Sequence, residues 1–228
     1  MFDNYLKEVI QFNNLNKENK AAFICTKLKE DGFDPQIQTF ISCFGEGKNI
    51  FAEIGNSNLQ NKIIISAHYD GKSLFDNTGG VIALLNVSEI ISNHKLPFSF
   101  IFLFTDQEET YQQGAAYFLQ SHVPTDISKN INIDGFGLGA EVYSVSELTH
   151  NTYKNSDLYL CDSDEFVKHG ISSISYFSAF ECDFMNAKNN GNIYLTFEKY
   201  KTESFFKNKY DNQNIQILIN KLCKILEN

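Results

Sequence analysis

The chain has 228 residues, with no tryptophan, only three prolines and no long apolar run. Its longest apolar runs, FSFIFLF and KIIIS, are far shorter than the roughly 20 residues that a membrane-spanning helix requires. We therefore expect no membrane partner. Lysine and arginine total 19 against 28 aspartates and glutamates, which gives a net charge of −9. Since no basic cluster stands out to neutralise phosphates, we expect no nucleic-acid partner either.

Cysteine is also scarce, and its pattern excludes a disulfide framework. The five cysteines are an odd number and form no CxxC pair. The first residues, MFDNYLKEVIQF, lack the basic and then apolar segments of a signal peptide. Together these features predict free thiols in a reducing compartment, and hence a cytoplasmic protein. The sequence does not indicate an oligomeric state.

The hydrophobic content of 43% suits a folded core, and we see no repeat, linker or domain boundary. A single domain over residues 1–228 is therefore expected. The polar segment NNLNKEN divides residues 3–31 into two helices. QIQTFISCF and KNIFAEIG alternate like two strands joined at GEGK.

Four later segments are short apolar runs that are typical of buried parallel strands: NKIIISAHY, FSFIFLFT, NINIDGFG and SISYFSAF. Helical periodicity follows the first two of them, in GGVIALLNVSEIISN and YQQGAAYFLQSH, and returns in the tail, NIQILINKLCKILEN. This alternation predicts an α/β fold, with a mostly parallel mixed sheet sandwiched between helices.

Three of the apolar strands run directly into acidic residues. The first ends at His68 and Asp70, the second at Glu108 and Glu109, and the third at Asp134. Ligands bind in the crevice beyond the carboxyl ends of such strands, so we expect these side chains to converge there. Each one alone would more often be an ordinary solvated strand end. Together they would repel one another unless a cation neutralised them.

The ligand types and their spacing predict a zinc site. Imidazole nitrogen and carboxylate oxygen, without thiolate, suit zinc in a hydrolytic site. His68 and Asp70 lie two residues apart on one side of a strand, so Asp70 can orient the imidazole. Glu108 and Glu109 point differently, so one can bind metal while the other acts as a base. Asp76, before NTGG at a helix start, has room to bridge two ions.

Four motifs occur here in the order found in a known family. The chain resembles the co-catalytic zinc aminopeptidases of metallopeptidase family 28, which also includes glutaminyl cyclases. The motifs are HYD (68–70), DNTGG (76–80), QEETYQQGAAYF (107–118) and NIDGFG (132–137). CDSDEFVKHGISSISYFS resembles a later family segment, and the resemblance runs from about NIFAEIG to the C-terminus. It implies a zinc-exopeptidase-like fold.

The resemblance also implies roles for the site residues. His68 and Asp134 would bind one zinc ion and Glu109 a second, with Asp76 bridging the two. Asp70 would orient His68, and Glu108 would be the general base. A cis peptide bond after Asp76 is a further expectation. The phenylalanine-rich segments 177–184 and 197–206 are candidates to line a substrate pocket, although plain core packing is the more favoured interpretation.

One family ligand, a histidine near the C-terminus, has no counterpart, because no histidine lies beyond His169. The segment FFKNKYDNQNIQILINKL fits the pattern around that ligand and places Lys207 at its position. The second zinc ion is then absent or weak, or another residue replaces the ligand, or the Lys207 ammonium stands between Asp76 and Glu109 in place of a metal. Candidates for a replacement are His150, Glu203 and Tyr210. An ordinary surface lysine at position 207 is the default if the alignment is shifted.

These observations predict a cytoplasmic zinc-dependent exopeptidase that binds one or two zinc ions and a small peptide substrate. An aminopeptidase is expected, since free acids near the metal could hold a peptide's α-ammonium. The alternative is an inactive relative that binds peptides or a partner protein in the same crevice. A glutaminyl cyclase is disfavoured, because those relatives keep their zinc on the site that uses the late histidine and have tryptophan-lined pockets.

Overall fold

The computed structural model describes residues 5–55, 62–92, 99–122, 126–148, 161–190, 197–211 and 213–226. Its strands are β1 (Gln36–Ser42), β2 (Gly45–Ile54), β3 (Lys62–His68), β4 (Phe100–Thr105), β5 (Ile127–Ile133), β6 (Glu141–Ser144) and β7 (Ser172–Ala179). Its helices are α1 (Tyr5–Asn13), α2 (Lys17–Glu30), α3 (Thr78–Ser92), α4 (Gln113–Ser121), α5 (Val145–Leu148), α6 (Asp162–Lys168), α7 (Glu181–Asn190), a 3₁₀ helix (Glu198–Lys201), α8 (Glu203–Lys209) and α9 (Gln213–Leu226).

The seven strands form one mixed sheet in the order β1-β2-β4-β3-β5-β7-β6. The four central strands, β4, β3, β5 and β7, run parallel to one another. Strands β1 and β2 on one side and β6 on the other are antiparallel to their neighbours. The predicted α/β fold with its parallel centre is confirmed, and the antiparallel strands make the sheet mixed.

Alternation along the central strands sends side chains to both faces of the sheet, because successive residues of a strand point in opposite directions. In β3, Ile63 and Ile65 pack into the larger core with α1, α2 and α3. Ile64 packs on the other face with Phe118 of α4 and Phe166 of α6. Burial on both faces explains why these strands are continuous apolar runs rather than alternating ones.

Two details differ from the sequence-based expectation. The turn between β1 and β2 falls at Cys43 and Phe44, so GEGK lies inside β2 rather than between the strands. Strand β6 was not predicted, because its four residues are too few to show a period. The predicted division of the first 31 residues into two helices is confirmed.

Parallel pairing brings the carboxyl ends of β3, β4 and β5 to one edge. His68 ends β3 opposite Thr105 of β4, and Asp134 follows the last residue of β5. Helix α3 begins close to this edge, where a side chain at Gly79 would lie 2.0 Å from the carbonyl oxygen of Phe136. A glycine is therefore required for α3 to approach so closely. Within the described residues, no helix has both the length and the apolar character needed to cross a membrane.

Candidate metal centre

The acidic residues that follow separate strands converge on His68. The side chains of His68, Glu108 and Asp134 are buried, with 1%, 7% and 4% of their residue surface exposed. Asp76 joins them from the loop between β3 and α3, and its carboxylate is partly buried. The predicted convergence of these groups beyond the sheet edge is therefore present in the structure.

One nitrogen of His68 faces two carboxylates. Nε2 lies 3.2 Å from Oδ1 of Asp76 and 3.4 Å from Oδ1 of Asp134. It is buried and makes no hydrogen bond of acceptable geometry with either carboxylate or with another described residue, although buried polar atoms are normally satisfied. The three groups offer donor atoms that all lie within 4.8 Å of one another. An unsatisfied imidazole nitrogen between two carboxylates fits a divalent cation, and this donor set suits zinc.

The other nitrogen of His68 is held by Asp70. Nδ1 lies 3.2 Å from Oδ1 of Asp70, whose Oδ2 accepts a hydrogen bond of 3.3 Å from the backbone N–H of Glu109. A metal-ligating histidine commonly donates its second N–H to a carboxylate, which fixes the tautomer. Asp70 therefore has the geometry of the predicted orienting residue, and it also ties the loop after β4 to the histidine.

A second donor set consists of His68, Glu108 and Glu109. Glu108 Oε2 lies 3.8 Å from Nδ1 of His68, the nitrogen that Asp70 already engages. The set with Asp76 and Asp134 is the better metal site, because only Nε2 is left without a partner.

Asn77 links the two candidate ligands Asp76 and Asp134. Its side chain donates a 2.7 Å hydrogen bond to the carbonyl of Ile133 and accepts one of 3.2 Å from the N–H of Gly135. These two groups flank Asp134 on the chain. The Asp76–Asn77 peptide bond is cis, as the resemblance implied. Sequence reasoning missed Asn77, although its place between Asp76 and the glycine pair was a usable signal.

The pKa shifts in the cluster indicate an excess of negative charge that a cation would neutralise. Burial raises the pKa of Glu108 to about 9, and the charge of Asp134 adds to that increase. Burial also raises the pKa of Asp134. Burial alone would lower the pKa of His68, but the charges of Glu108 and Asp134 raise it well above its usual value. Without a metal, the carboxylates therefore favour a positive charge on the imidazole.

A further acid lies behind this cluster. Asp162, the first residue of α6, is fully buried and accepts a short hydrogen bond from the hydroxyl of Thr105. Burial raises its pKa to about 7. Sequence analysis noted the segment CDSDEF but did not single out Asp162, because one acid in an acidic helix start carries no distinctive signal.

The loop that carries Glu108 and Glu109 has an unusual backbone. Gln107, Tyr111 and Gln112 all have positive φ angles, of 58°, 65° and 51°. Residues other than glycine rarely adopt this conformation, and it concentrates at functional sites. The left-handed turn at Gln107 redirects the chain immediately before Glu108.

Comparison with known proteins agrees with this geometry. The sequence model described as Peptidase family M28 matches residues 49–217, about three quarters of the chain. The chain belongs to peptidase family M28. The predicted family is therefore confirmed, and membership supports a hydrolase of the metallopeptidase type.

A curated relative of this M28 chain is a vacuolar membrane protease of Schizosaccharomyces japonicus. The two are 24% identical over 185 residues, which cover 76% of this chain and 21% of the relative. The chain thus spans about a fifth of the length of that protein. The predicted cytoplasmic location stays a prediction.

Solved structures similar to this M28 chain include a glutaminyl cyclase of Porphyromonas gingivalis and a Zn-dependent exopeptidase of Parabacteroides distasonis. The cyclase has a TM-score of 0.77 at 16% identity and covers 100% of this chain and 98% of its own. The exopeptidase has a TM-score of 0.64 at 14% identity, covering 89% of this chain and 98% of its own. At such identities the likeness shows the fold, which is the predicted zinc-exopeptidase-like fold.

A lysine pairs with the candidate ligand Asp76, but it is not Lys207. Lys207 forms an ion pair with Glu203 on the same helix, α8. The cation beside Asp76 is Lys201, whose Nζ lies 2.6 Å from Asp76 Oδ2. Of the alternatives for Lys207, the one that placed its ammonium between Asp76 and Glu109 is therefore wrong, and Lys207 is instead paired on its own helix.

Two of the proposed replacements for that histidine, Glu203 and Tyr210, lie among the described residues, and both contact other groups. Glu203 is engaged by Lys207. The ring of Tyr210 stacks on Tyr5 of α1 with centroids 5.2 Å apart. His150 lies outside the described residues. Glu109, the other predicted ligand of the second ion, is exposed.

The aromatic residues of segments 177–184 and 197–206 form core rather than an open pocket. Phe177, Phe184, Phe197, Tyr200 and Phe206 are all buried, and several of these rings contact one another. The core-packing interpretation is the one that these residues support.

Proposed function

We propose that this M28 chain is a zinc-dependent exopeptidase that removes N-terminal residues from short peptides. The observation that carries the proposal is the unsatisfied Nε2 of His68, buried 3.2 Å from Asp76 and 3.4 Å from Asp134. Glu108 stands on the other side of the same imidazole. Metal ligands and a carboxylate for proton transfer thus share one crevice.

In this proposal His68, Asp76 and Asp134 hold the ion. A zinc ion bound there would lower the pKa of a water molecule toward about 7 and polarise the scissile carbonyl. Glu108 takes a proton from the attacking water and passes it to the leaving amine. Asp70 holds His68 in the tautomer whose Nε2 is free for the metal.

The charge of the crevice favours the N-terminus of a peptide over its C-terminus. Glu109 is exposed. Its pKa is raised, first by partial burial of the carboxyl group and then by the negative charge of Asp76. An α-ammonium group is attracted to such carboxylates, whereas an α-carboxylate is repelled. This charge supports aminopeptidase action.

The free thiols of Cys25, Cys43, Cys161 and Cys182 agree with the proposed cytoplasmic location.

A panel of dipeptides with free and N-acetylated amino termini tests the proposal. After removal of metal with a chelator, we expect no hydrolysis, and we expect zinc to restore it for the free dipeptides only. Equal hydrolysis of the acetylated peptides would exclude the aminopeptidase assignment. A peptide that begins with glutamine should be hydrolysed rather than cyclised, since the chain lacks tryptophan and the late histidine.

The second candidate is a relative that binds peptides without cleaving them. The ion pair between Lys201 and Asp76 favours it, because a fixed cation already neutralises one candidate ligand. Zinc content and turnover of the same purified protein separate the two candidates. Bound zinc together with release of amino acids supports the peptidase. A purified protein that has no bound zinc and shows no turnover supports the binding protein.

A further inference from the structure

The two oxygens of Asp76 face two different neighbours. Oδ1 lies 3.2 Å from Nε2 of His68, on the side of the candidate metal site. Oδ2 lies 2.6 Å from the Nζ of Lys201. The carboxylate that family resemblance assigns to two metal ions therefore has a metal site on one side and an ammonium group on the other.

The segment that carries Lys201 is anchored. The preceding residue, Tyr200, is completely buried and its ring packs edge-on against Phe75, with centroids 5.0 Å apart. Its hydroxyl donates a 2.8 Å hydrogen bond to Asp183 and accepts one of 3.1 Å from the N–H of Phe180. Because Phe75 directly precedes Asp76, this packing holds the 3₁₀ turn of Lys201 against the loop that carries Asp76.

The surroundings of the ammonium group are those of a cation site. Burial lowers the pKa of Lys201, but the charge of Asp76, and after it the charges of Glu109 and Glu198, raise it above its usual value. The lysine side chain is 43% exposed, so it reaches Asp76 from the solvent side of the crevice. A second divalent ion at Oδ2 of Asp76 would meet the positive charge of this ammonium, whose Nζ lies 2.6 Å from that oxygen, and like charges at such distances repel strongly.

We propose that the Lys201 ammonium takes the place of a second metal ion, so that the chain binds one divalent ion through His68, Asp76 and Asp134. This inference rests on the proposed metal-dependent function. It makes Asp76 a bridge between an ion and a lysine rather than between two ions. It also leaves Glu109 without a role in metal binding.

Zinc stoichiometry tests the inference. The chelator-treated full chain is titrated with zinc, and the bound metal is counted by elemental analysis after removal of excess. We expect one zinc per chain for the wild type and two for Lys201→His, because histidine supplies a neutral ligand where the ammonium stood. Lys207→His, the same change at a lysine that pairs with Glu203, should still bind one.

The outcomes separate this inference from the proposed function. Two zinc ions in the wild type, or one in a folded Lys201→His variant, would overturn the inference and leave the proposed peptidase intact. A wild type that binds no zinc would overturn both.

A second measurement does not depend on the folding of the histidine variant. We expect Glu109→Gln to change the zinc dissociation constant less than twofold, because Glu109 is not a ligand of the single ion. A tenfold or larger loss of affinity in this variant would contradict the inference.

Discussion

The two halves of the crevice are built in different ways. Strand ends form the inner half, where His68 and Asp134 are almost completely buried. A 3₁₀ turn and a loop form the outer half, where Glu109 is exposed and Lys201 keeps 43% of its side chain in solvent. The inner half thus has candidate metal ligands fixed by the sheet, and the outer half has a cation, Lys201, supplied by the chain itself.

This difference shows what a parallel sheet contributes to a metal site. Strand pairing sets the positions of His68 and Asp134, and Asn77 ties the loop of Asp76 to the same edge. These positions follow from strand pairing and from the hydrogen bonds of the Asn77 side chain. The outer half has no such framework and depends on the packing of Tyr200. We therefore expect substitutions in the inner half to have the larger effects.

Replacement of Asp134 by asparagine should have the largest effect. We expect loss of zinc binding and of turnover, because one of the three ligands loses its charge. The loss of zinc affinity should exceed the roughly 100-fold loss that follows when a residue hydrogen-bonded to a metal ligand is removed. A chelator competition assay measures it. Asp126→Asn, the same change next to the opposite end of β5, is the matched control and should bind zinc normally.

Glu108→Gln should separate metal binding from catalysis. We expect kcat to fall by about 10²- to 10⁴-fold, the usual contribution of a general acid–base group, with zinc content unchanged. Steady-state hydrolysis of a dipeptide and elemental analysis of the same sample check both parts. A variant as fast as the wild type would remove Glu108 from the mechanism. Glu18→Gln, on the exposed face of α2, should change neither quantity.

The same contrast explains what could be read from the sequence. The inner half was predictable because buried strands leave continuous apolar runs, and acids at their ends must then meet at one edge. His68, Glu108 and Asp134 were found in this way, and the parallel register brings them together. The order of the motifs added Asp76.

The outer half could not be predicted by the same reasoning. Lys201 lies in EKYKTESFFKNK, where several lysines are equivalent in pattern. Only the burial of Tyr200 against Phe75 distinguishes it, and that contact joins residues 125 positions apart in the chain. Asn77 was missed although its place before the glycine pair was a usable signal, and Asp162 was missed because one acid in an acidic helix start is not distinctive. The hydrogen bonds of both residues cross the fold and are visible only in the structure. The roles of all these residues in catalysis and metal binding stay predictions.

Asp70→Asn should weaken the inner half without destroying it. The Asp70 carboxylate accepts hydrogen bonds from the imidazole of His68 and from the backbone N–H of Glu109. Asparagine lacks the negative charge of that carboxylate. We expect zinc affinity to fall about 10- to 100-fold, as for other outer partners of a ligating histidine. Asp34→Asn, at an exposed position in the segment before β1, provides the control. An unchanged affinity in Asp70→Asn would mean that the sheet alone orients the imidazole.

Tyr200→Phe should have the smallest effect and should be confined to the outer half. It removes the hydroxyl that bonds Asp183 and the N–H of Phe180 but keeps the buried ring. We expect the free energy of unfolding to fall by about 2 kcal/mol, because two hydrogen bonds of roughly 1 kcal/mol each are lost, as measured by urea denaturation.

Zinc affinity should not change in Tyr200→Phe, because His68, Asp76 and Asp134 are positioned by the sheet edge and Asn77. The exposed Tyr111→Phe, at 71% exposure, should alter stability by less than about 0.5 kcal/mol. If Tyr200→Phe weakened zinc binding as much as Asp70→Asn, the two halves of the crevice would not be independent. The 3₁₀ turn of Lys201 would then have to support the metal ligands as directly as the strands do.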